Sequence, residues 1–178
     1  MQLHEQSSPR LTQDKDEWVL VLHRTLAHPR EEVWSALTEA EQIPSWGPFT
    51  TDRDLTSGGP VKLSHIDNPA EDVRQGCVLE SRAPGLLVFR WGDDILRWEL
   101  TEQGEHTLLE LRHRFADRQQ APSYAAGWHL CLEGLIGKLE GRTMPSMVGS
   151  NAVHHGYREL YAKYEALLRN QDDKRWKE

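Results

Sequence analysis

The sequence predicts an α+β fold, in which an antiparallel sheet packs against a long C-terminal helix. Two patterns support this prediction. Between residues 51 and 115, short extended runs alternate with turn residues, as in a series of β-hairpins. Over residues 123–141, apolar residues recur at the period of an α-helix. A chain of 178 residues, 38% apolar and 28% charged, is also typical of one globular domain.

The chain begins with a polar segment, a strand and two short helices. Residues 1–16 are polar and aperiodic, which predicts a flexible N-terminal tail. Residues 17–26, EWVLVLHRTL, have the β-branched and aliphatic composition of a strand. Residues 30–40, REEVWSALTEA, place apolar residues at helical spacing behind a proline that suits a first helical turn. Residues 39–46 can add a second short helix, which the following GP pair ends.

Six more strands and two longer helices complete the predicted domain. The six strand-like runs are TDRDL, PVKLSHI, DVRQGCVLESR, LLVFRW, ILRWEL and HTLLELRHRF. Turn sequences such as SGG and GDD separate them, which predicts an antiparallel meander. The helix of residues 123–141 follows, and a polar break over residues 143–156 separates it from a last amphipathic helix. The single domain is expected to span residues 17–170, with a polar C-terminal tail over residues 171–178.

Three segments carry a resemblance to a known family. They are RTLAHPREEVWSALTEAEQIPSWGP, the strand that ends in ELRHRF, and the Gly127-Trp128 pair with the leucines that follow it. The chain resembles the START-like (SRPBCC) superfamily and, within it, the family related to the C-terminal domain of the activator of the ninety-kilodalton heat-shock protein ATPase. The resemblance runs from about Val19 to Leu139. It implies a helix-grip fold, in which a curved antiparallel sheet (strand, two short helices, six strands) wraps around the long C-terminal helix.

Strand alternation identifies the inward face of the sheet, because successive side chains point to opposite sides. The long helix is the element large enough to cover this face. The same alternation turns three polar side chains inward, namely Arg24, His65 and His113. They either pair with one another and with carboxylates, or line a cavity that holds water or ligand. For His113, a structural role, a contact to a ligand and a role in catalysis all stay open. The apolar members of the face are Leu87, Phe89, Trp91, Leu96, Trp98, Leu100, Leu109, Leu111 and Phe115.

Four glycines share one arc of the helix over residues 123–141: Gly127, Gly134, Gly137 and Gly141. Each is about 1 kcal/mol less favourable in a helix than alanine. Either they allow close packing or a bend, or they leave space for a ligand beside the sheet. The resemblance places Trp46 near one end of such a cavity, and the alternative for Trp46 is an ordinary core position.

The leading hypothesis for function is the non-catalytic binding of a small hydrophobic or aromatic molecule between the sheet and the long helix. No catalytic residue is predicted, because no base, nucleophile and orienting group stand in a recognisable arrangement. No metal or cofactor is predicted either, since the sequence has no phosphate loop and its adjacent His154 and His155 lack ligand spacing. The predicted ligand contacts are Trp46, Phe89, Trp91, Trp98, His113, Phe115, Tyr124, Trp128, Leu132 and Arg24.

Two other classes of function stay open. The resemblance implies a co-chaperone-like domain that would bind a protein partner such as a chaperone. The wider superfamily implies a polyketide-type cyclase or aromatase, with His113 or Tyr124 as acid or base, or a self-protection protein that sequesters a natural product.

The charge and hydropathy of the sequence argue against nucleic-acid and membrane partners. The net charge is −7 and the 21 basic residues are scattered, which argues against nucleic acid and against an anionic membrane surface. The sequence has no apolar run of about 18 residues, and residues 1–16 lack the apolar centre of a signal peptide. A cytoplasmic protein is therefore expected. Cys77 and Cys131 lie within apolar patterns and are interpreted as buried free thiols.

Overall fold

A computed structural model describes residues 8–67, 73–143 and 145–175 of the chain. The predicted helix-grip fold is confirmed: within the described residues, eight antiparallel strands form one curved sheet that packs against a long helix. The strands are β1 (Arg10–Asp14), β2 (Glu17–Leu26), β3 (Phe49–Thr51), β4 (Gly59–His65), β5 (Val73–Arg82), β6 (Leu86–Trp91), β7 (Asp94–Gln103) and β8 (His106–Phe115). The helices are α1 (Arg30–Thr38), α2 (Ala121–Leu139) and α3 (Tyr157–Arg175).

The sheet has the strand order β1-β2-β8-β7-β6-β5-β4-β3. The strands β3 to β8 form a meander, and β8 returns to pair with β2, for example Leu22 with Leu111. Between β2 and β3 the chain crosses to the far edge of the sheet through α1 and a short 3-10 helix, Ile43–Ser45. After β8, a short 3-10 helix over Arg118–Gln120 leads into α2, whose apolar side chains pack against the inward face of the sheet.

The inward face predicted from strand alternation is confirmed. Its leucines, Phe89, Trp98 and Phe115 are buried in the core with the apolar side chains of α2. A row of tryptophans runs through this core. Trp98 makes edge-to-face contacts with Trp46 at 5.7 Å and with Trp128 at 5.6 Å between ring centroids. Trp91 is the exception on this face, because it is half-buried.

The prediction of a flexible tail over residues 1–16 is wrong for residues 10–14, which form the strand β1. Its sequence, RLTQD, is mostly polar because the strand lies at the edge of the sheet, where one side of its backbone is unpaired. The Gln171 side chain holds this edge strand: it accepts a hydrogen bond from the Leu11 backbone N–H and donates one to the Pro9 carbonyl. The prediction of a polar C-terminal tail over residues 171–178 is also wrong in part, because α3 continues through Arg175.

The predicted strand TDRDL, residues 51–55, is also wrong, since β3 ends at Thr51. The residues after β3 form a loop around the Arg53 guanidinium, which donates to the carbonyls of Ser57, Gly59 and Pro60. The loop therefore satisfies its backbone acceptors through one side chain rather than through a neighbouring strand.

The predicted helix at 123–141 is confirmed with a small shift, as α2. The break after it contains a 3-10 helix, Gly149–His155, and then α3 packs on α2. Among the described residues, no helix combines the length and the apolar character that crossing a membrane requires.

Candidate functional site

A cleft with a volume of about 330 Å³ lies between the sheet, α2 and the chain that follows α2. Three of its side chains, those of Trp91, Tyr124 and Tyr157, are half-buried, so the cleft opens to solvent. The residues that line it are His65, Trp91 and His113 from the sheet; Ser123, Tyr124, Gly127, Trp128 and Cys131 from α2; Met147, Val148, Ala152 and Tyr157 from the following chain; and Pro48 and Asp67.

Helical periodicity explains the contribution of α2. Tyr124, Gly127, Trp128 and Cys131 follow the i, i+3, i+4, i+7 pattern of one helix face. Cys131 is fully buried, and burial raises the pKa of its thiol far above its ordinary value. The thiol therefore stays protonated and contributes apolar surface rather than a nucleophile.

His113 is the buried centre of a hydrogen-bond chain at the base of the cleft. The Trp128 indole Nε1–H donates to His113 Nδ1 at 2.9 Å. Since an indole nitrogen can only donate, Nδ1 accepts and the ring proton of a neutral His113 is on Nε2. This Nε2–H points to Asp94 Oδ2 at 2.7 Å. Both ring nitrogens are therefore engaged, which supports the structural interpretation of His113 over a role as a free base.

Tyr124 covers His113 on the side of the cleft. The two rings stack at 4.3 Å with an angle of 28° between their planes. Burial raises the pKa of Tyr124, and the nearby carboxylate of Asp94 raises it further. The phenol is accordingly protonated at neutral pH, with its O–H directed to Asp94.

Polar groups border the apolar surface at two places. Ser123 Oγ and Tyr157 Oη, at the first turns of α2 and α3, share a hydrogen bond of 2.6 Å. On the side of β4, the Asp67 backbone N–H donates to His65 Nδ1 at 3.2 Å. The cleft thus combines an aromatic interior with a few polar atoms, the usual composition of a small-molecule site.

The structure brings four of the ten predicted ligand contacts together at the cleft: Trp91, His113, Tyr124 and Trp128. Five others pack in the core. Among these, Trp46 is 3% exposed and donates its indole N–H to the Ala36 carbonyl, as expected of a core tryptophan. The other four core residues are Phe89, Trp98, Phe115 and Leu132.

Arg24, the tenth predicted contact, lies between β2, α2 and α3 rather than at the cleft. Its side chain is 2% exposed and donates to the His23 carbonyl. It lies close to Tyr164 and Glu133, and its burial lowers the pKa of the guanidinium. Arg24, Tyr164 and Glu133 therefore form a polar cluster between β2, α2 and α3, called the Arg24 cluster below.

Sequence reasoning missed the wall that Met147, Val148, Ala152 and Tyr157 form. Met147, Val148 and Ala152 fall in the segment interpreted as a polar break, where no periodicity marks them as buried. Tyr157 begins the apolar face of the last helix, but nothing in the sequence indicates that it reaches the cleft. His65, by contrast, was identified as an inward residue by strand alternation, and it lines the cleft.

The glycines of α2 have different roles. A Cβ at Gly134 would lie 3.6 Å from the Trp46 backbone, an ordinary van der Waals contact, so at this position α2 faces protein rather than open space. Gly141 adopts the left-handed conformation, with φ of 74°, just after the end of α2. At Gly127, an added Cβ would meet no heavy atom of the described residues within 4 Å, and this residue lines the cleft.

Acidification from about pH 7 to about pH 4.5 is expected to destabilise the fold through His129. The His129 side chain lies beside the Arg24 cluster, and its Nδ1 shares a hydrogen bond of 2.7 Å with Tyr164 Oη. Burial, and then the charges of Arg24 and Lys163, lower the pKa of His129 from 6.5 to about 4. The unfolded chain therefore takes up the proton at higher pH, so stability falls as the pH drops from about 6.5 towards 4.

Because His129 is partly exposed, solvent screens these charges and the expected loss is about 1–2 kcal/mol. Urea unfolding at both pH values measures it. His129→Gln should flatten the pH dependence, and an equally steep dependence in this variant would contradict the assignment to His129.

Within the described part of the chain, no group of three or more His, Cys, Asp or Glu side chains could hold a metal ion.

Comparisons with known proteins agree with this architecture. A family described as "Activator of Hsp90 ATPase homolog 1-like protein" matches residues 27–140. The crystal structure of CalU16 from Micromonospora echinospora is similar with a TM-score of 0.68 and 22% identity, over 94% of this chain and 99% of that one. A conserved protein of unknown function from Enterococcus faecalis, EF2215, has a TM-score of 0.72 and 16% identity over 91% of each chain.

A third similar structure is DynU16, described as a protein in the dynemicin biosynthetic locus, with a TM-score of 0.63 and 22% identity. The match covers 76% of this chain and 52% of DynU16. At such identities, these similarities show the fold alone. No curated protein matches the chain.

Proposed function

Since this chain belongs to the family of Activator of Hsp90 ATPase homolog 1-like proteins and has an aromatic cleft where its sheet grips α2, we propose that it binds a small hydrophobic or aromatic molecule in that cleft. It does so without catalysing a reaction. The observation that carries this proposal is the lining of the cleft, in which Trp91, Tyr124 and Trp128 surround about 330 Å³ of space.

The state of the polar groups supports binding rather than catalysis. The nitrogens of His113 are engaged by Trp128 and Asp94. The raised pKa values of Tyr124 and Cys131 keep the phenol and the thiol protonated at neutral pH. A general base needs a free lone pair, and a nucleophile needs an activating partner. These groups instead shape the wall of the cleft.

Two matched tryptophans provide the test. Trp91 and Trp18 are both half-buried, and each lies under an arginine, at 5.7 Å from Arg74 and 5.6 Å from Arg118 respectively. Only the first lines the described cleft. We expect Trp91→Ala to weaken binding of the fluorescent probe ANS about tenfold, because one aromatic contact contributes about 1–1.5 kcal/mol. Trp18→Ala should leave the affinity unchanged.

Native mass spectrometry of the purified protein, followed by denaturing extraction, would identify any bound molecule. Equal loss of ANS affinity in the two variants would contradict the cleft as the site. A protein that carries no molecule and does not bind ANS would contradict the proposed function itself.

A second candidate is sequestration of a natural product for self-protection, the role that the START-like resemblance implies, and the fold shared with DynU16, a protein of a biosynthetic locus, is compatible with it. This candidate uses the same cleft and predicts that the gene lies beside biosynthetic or resistance genes. The neighbouring genes therefore decide between this role and the binding of a common metabolite.

The family match favours a third candidate, an interaction with a chaperone of the ninety-kilodalton heat-shock class. It predicts that this protein changes the ATPase rate of a bacterial chaperone of that class. An unchanged rate, together with no capture of that chaperone, would exclude it.

A further inference from the structure

Packing within the protein does not explain the glycine at position 127. Gly127 lies in the interior of α2, where glycine is unfavourable compared with alanine. A Cβ there would meet no heavy atom of the described residues within 4 Å, whereas a Cβ at Gly134, two turns later, would contact Trp46 at 3.6 Å. The bare backbone at Gly127 therefore borders free space, and that space is the cleft.

The size and shape of the cleft restrict its ligand. A volume of about 330 Å³ equals that of about eleven water molecules and is at the lower end for ligand sites. A compact molecule fills it, and a long acyl chain exceeds it. Trp91, Tyr124 and Trp128 offer aromatic rings that favour planar partners in stacked or edge contacts.

One polar pair at the cleft can select a substituent on the ligand. Ser123 and Tyr157 have two O–H groups, and their mutual hydrogen bond uses one of them. The other O–H can donate to a ligand oxygen, and the hydroxyl oxygens can also accept. A hydroxyl or carbonyl group on an aromatic ring therefore has a partner at this edge.

We propose that Gly127 is the residue that determines ligand size, and that the cleft accepts a planar aromatic molecule of about two or three fused rings with an oxygen substituent. The rings lie against the α2 backbone at Gly127, and the oxygen bonds the Ser123–Tyr157 pair. This inference rests on the proposed function and names the ligand class for the same cleft.

The test compares Gly127→Ala and Gly127→Leu with Gly134→Ala, using naphthol and palmitate as probes. Both alanine variants should raise Tm by about 2–4 °C, because alanine favours the helix and fits at either position. We expect naphthol to bind the unchanged protein more tightly than palmitate does. Gly127→Ala should weaken naphthol binding about tenfold, and Gly127→Leu more, because added groups occupy the cleft. Gly134→Ala should bind normally.

The outcomes separate the two proposals. Equal naphthol affinity in Gly127→Leu and Gly134→Ala would overturn the role of Gly127. Tighter binding of palmitate, weakened by Trp91→Ala, would overturn the ligand class and leave the proposed function standing. Binding of neither probe, in a protein that also fails to bind ANS, would overturn both.

Discussion

Replacing Trp128 with alanine is expected to lower the free energy of unfolding by about 3–5 kcal/mol, as for other large core aromatics. The side chain is 3% exposed, contacts Trp98 edge to face and donates its N–H to His113. Its removal leaves a cavity between α2 and the sheet and an unpaired nitrogen on a buried histidine. Urea denaturation of both proteins at neutral pH measures the loss.

Trp128→Phe separates the two contributions. Phenylalanine keeps most of the packing and removes the N–H, so the expected loss is about 1–3 kcal/mol from the unpaired His113 Nδ1. If Trp128→Ala is no less stable than Trp128→Phe, the packing of α2 on the sheet at this point is weaker than the structure indicates.

Replacing Asp94 with alanine is expected to lower the free energy of unfolding by about 1.5–3 kcal/mol, the range for hydrogen bonds to charged groups. Asp94 Oδ2 accepts the Nε2–H of His113, whose side chain is 0% exposed. Without the carboxylate, this N–H is buried without its partner, while the Trp128 indole still donates to Nδ1.

The neighbouring Asp93 provides the control. It is exposed, so Asp93→Ala should change stability by less than about 0.5 kcal/mol. Nitrogen NMR of His113 adds a readout that a general loss of stability would not change. We expect the Nε2–H tautomer in both the unchanged protein and Asp94→Ala, because Trp128 still donates to Nδ1. Loss of the Asp94 hydrogen bond should shift the Nε2 resonance and leave the Nδ1 resonance nearly unchanged. Equal stabilities of the two variants would contradict the hydrogen-bond chain.

Much of the site on the sheet and on α2 could be predicted because periodicity reports which side of an element is buried. Alternation turned His113 and Trp91 inward, and helical spacing turned Tyr124 and Trp128 towards them. The same reasoning identified Trp98 and Phe115 as ligand contacts, and these lie in the closed core. Periodicity identifies a buried face, but it does not distinguish contact with protein from contact with a cavity.

The remaining wall could not be predicted from local pattern. Tyr157 shares a hydrogen bond with Ser123, which is 34 positions away in the sequence. Gln171 donates to the carbonyl of Pro9, which is 162 positions away and directly precedes the edge strand β1. Such contacts depend on how the chain after α2 folds back. A polar segment with glycine and proline residues has many accessible conformations, so local preference does not select that one.

The sequence by itself determined the α+β architecture, the inward face of the sheet and the helix that covers it, because hydrophobic burial imposes its period on every strand and helix. The tertiary structure alone decided which aromatic side chains border the cleft, which of the four glycines lines it, and that Arg24 lies between β2, α2 and α3. Those outcomes depend on how the sheet, α2 and the chain after α2 are placed relative to one another. Because a protein interior is close-packed, a shift of about the width of a methyl group decides whether a side chain fills a space or leaves a cleft.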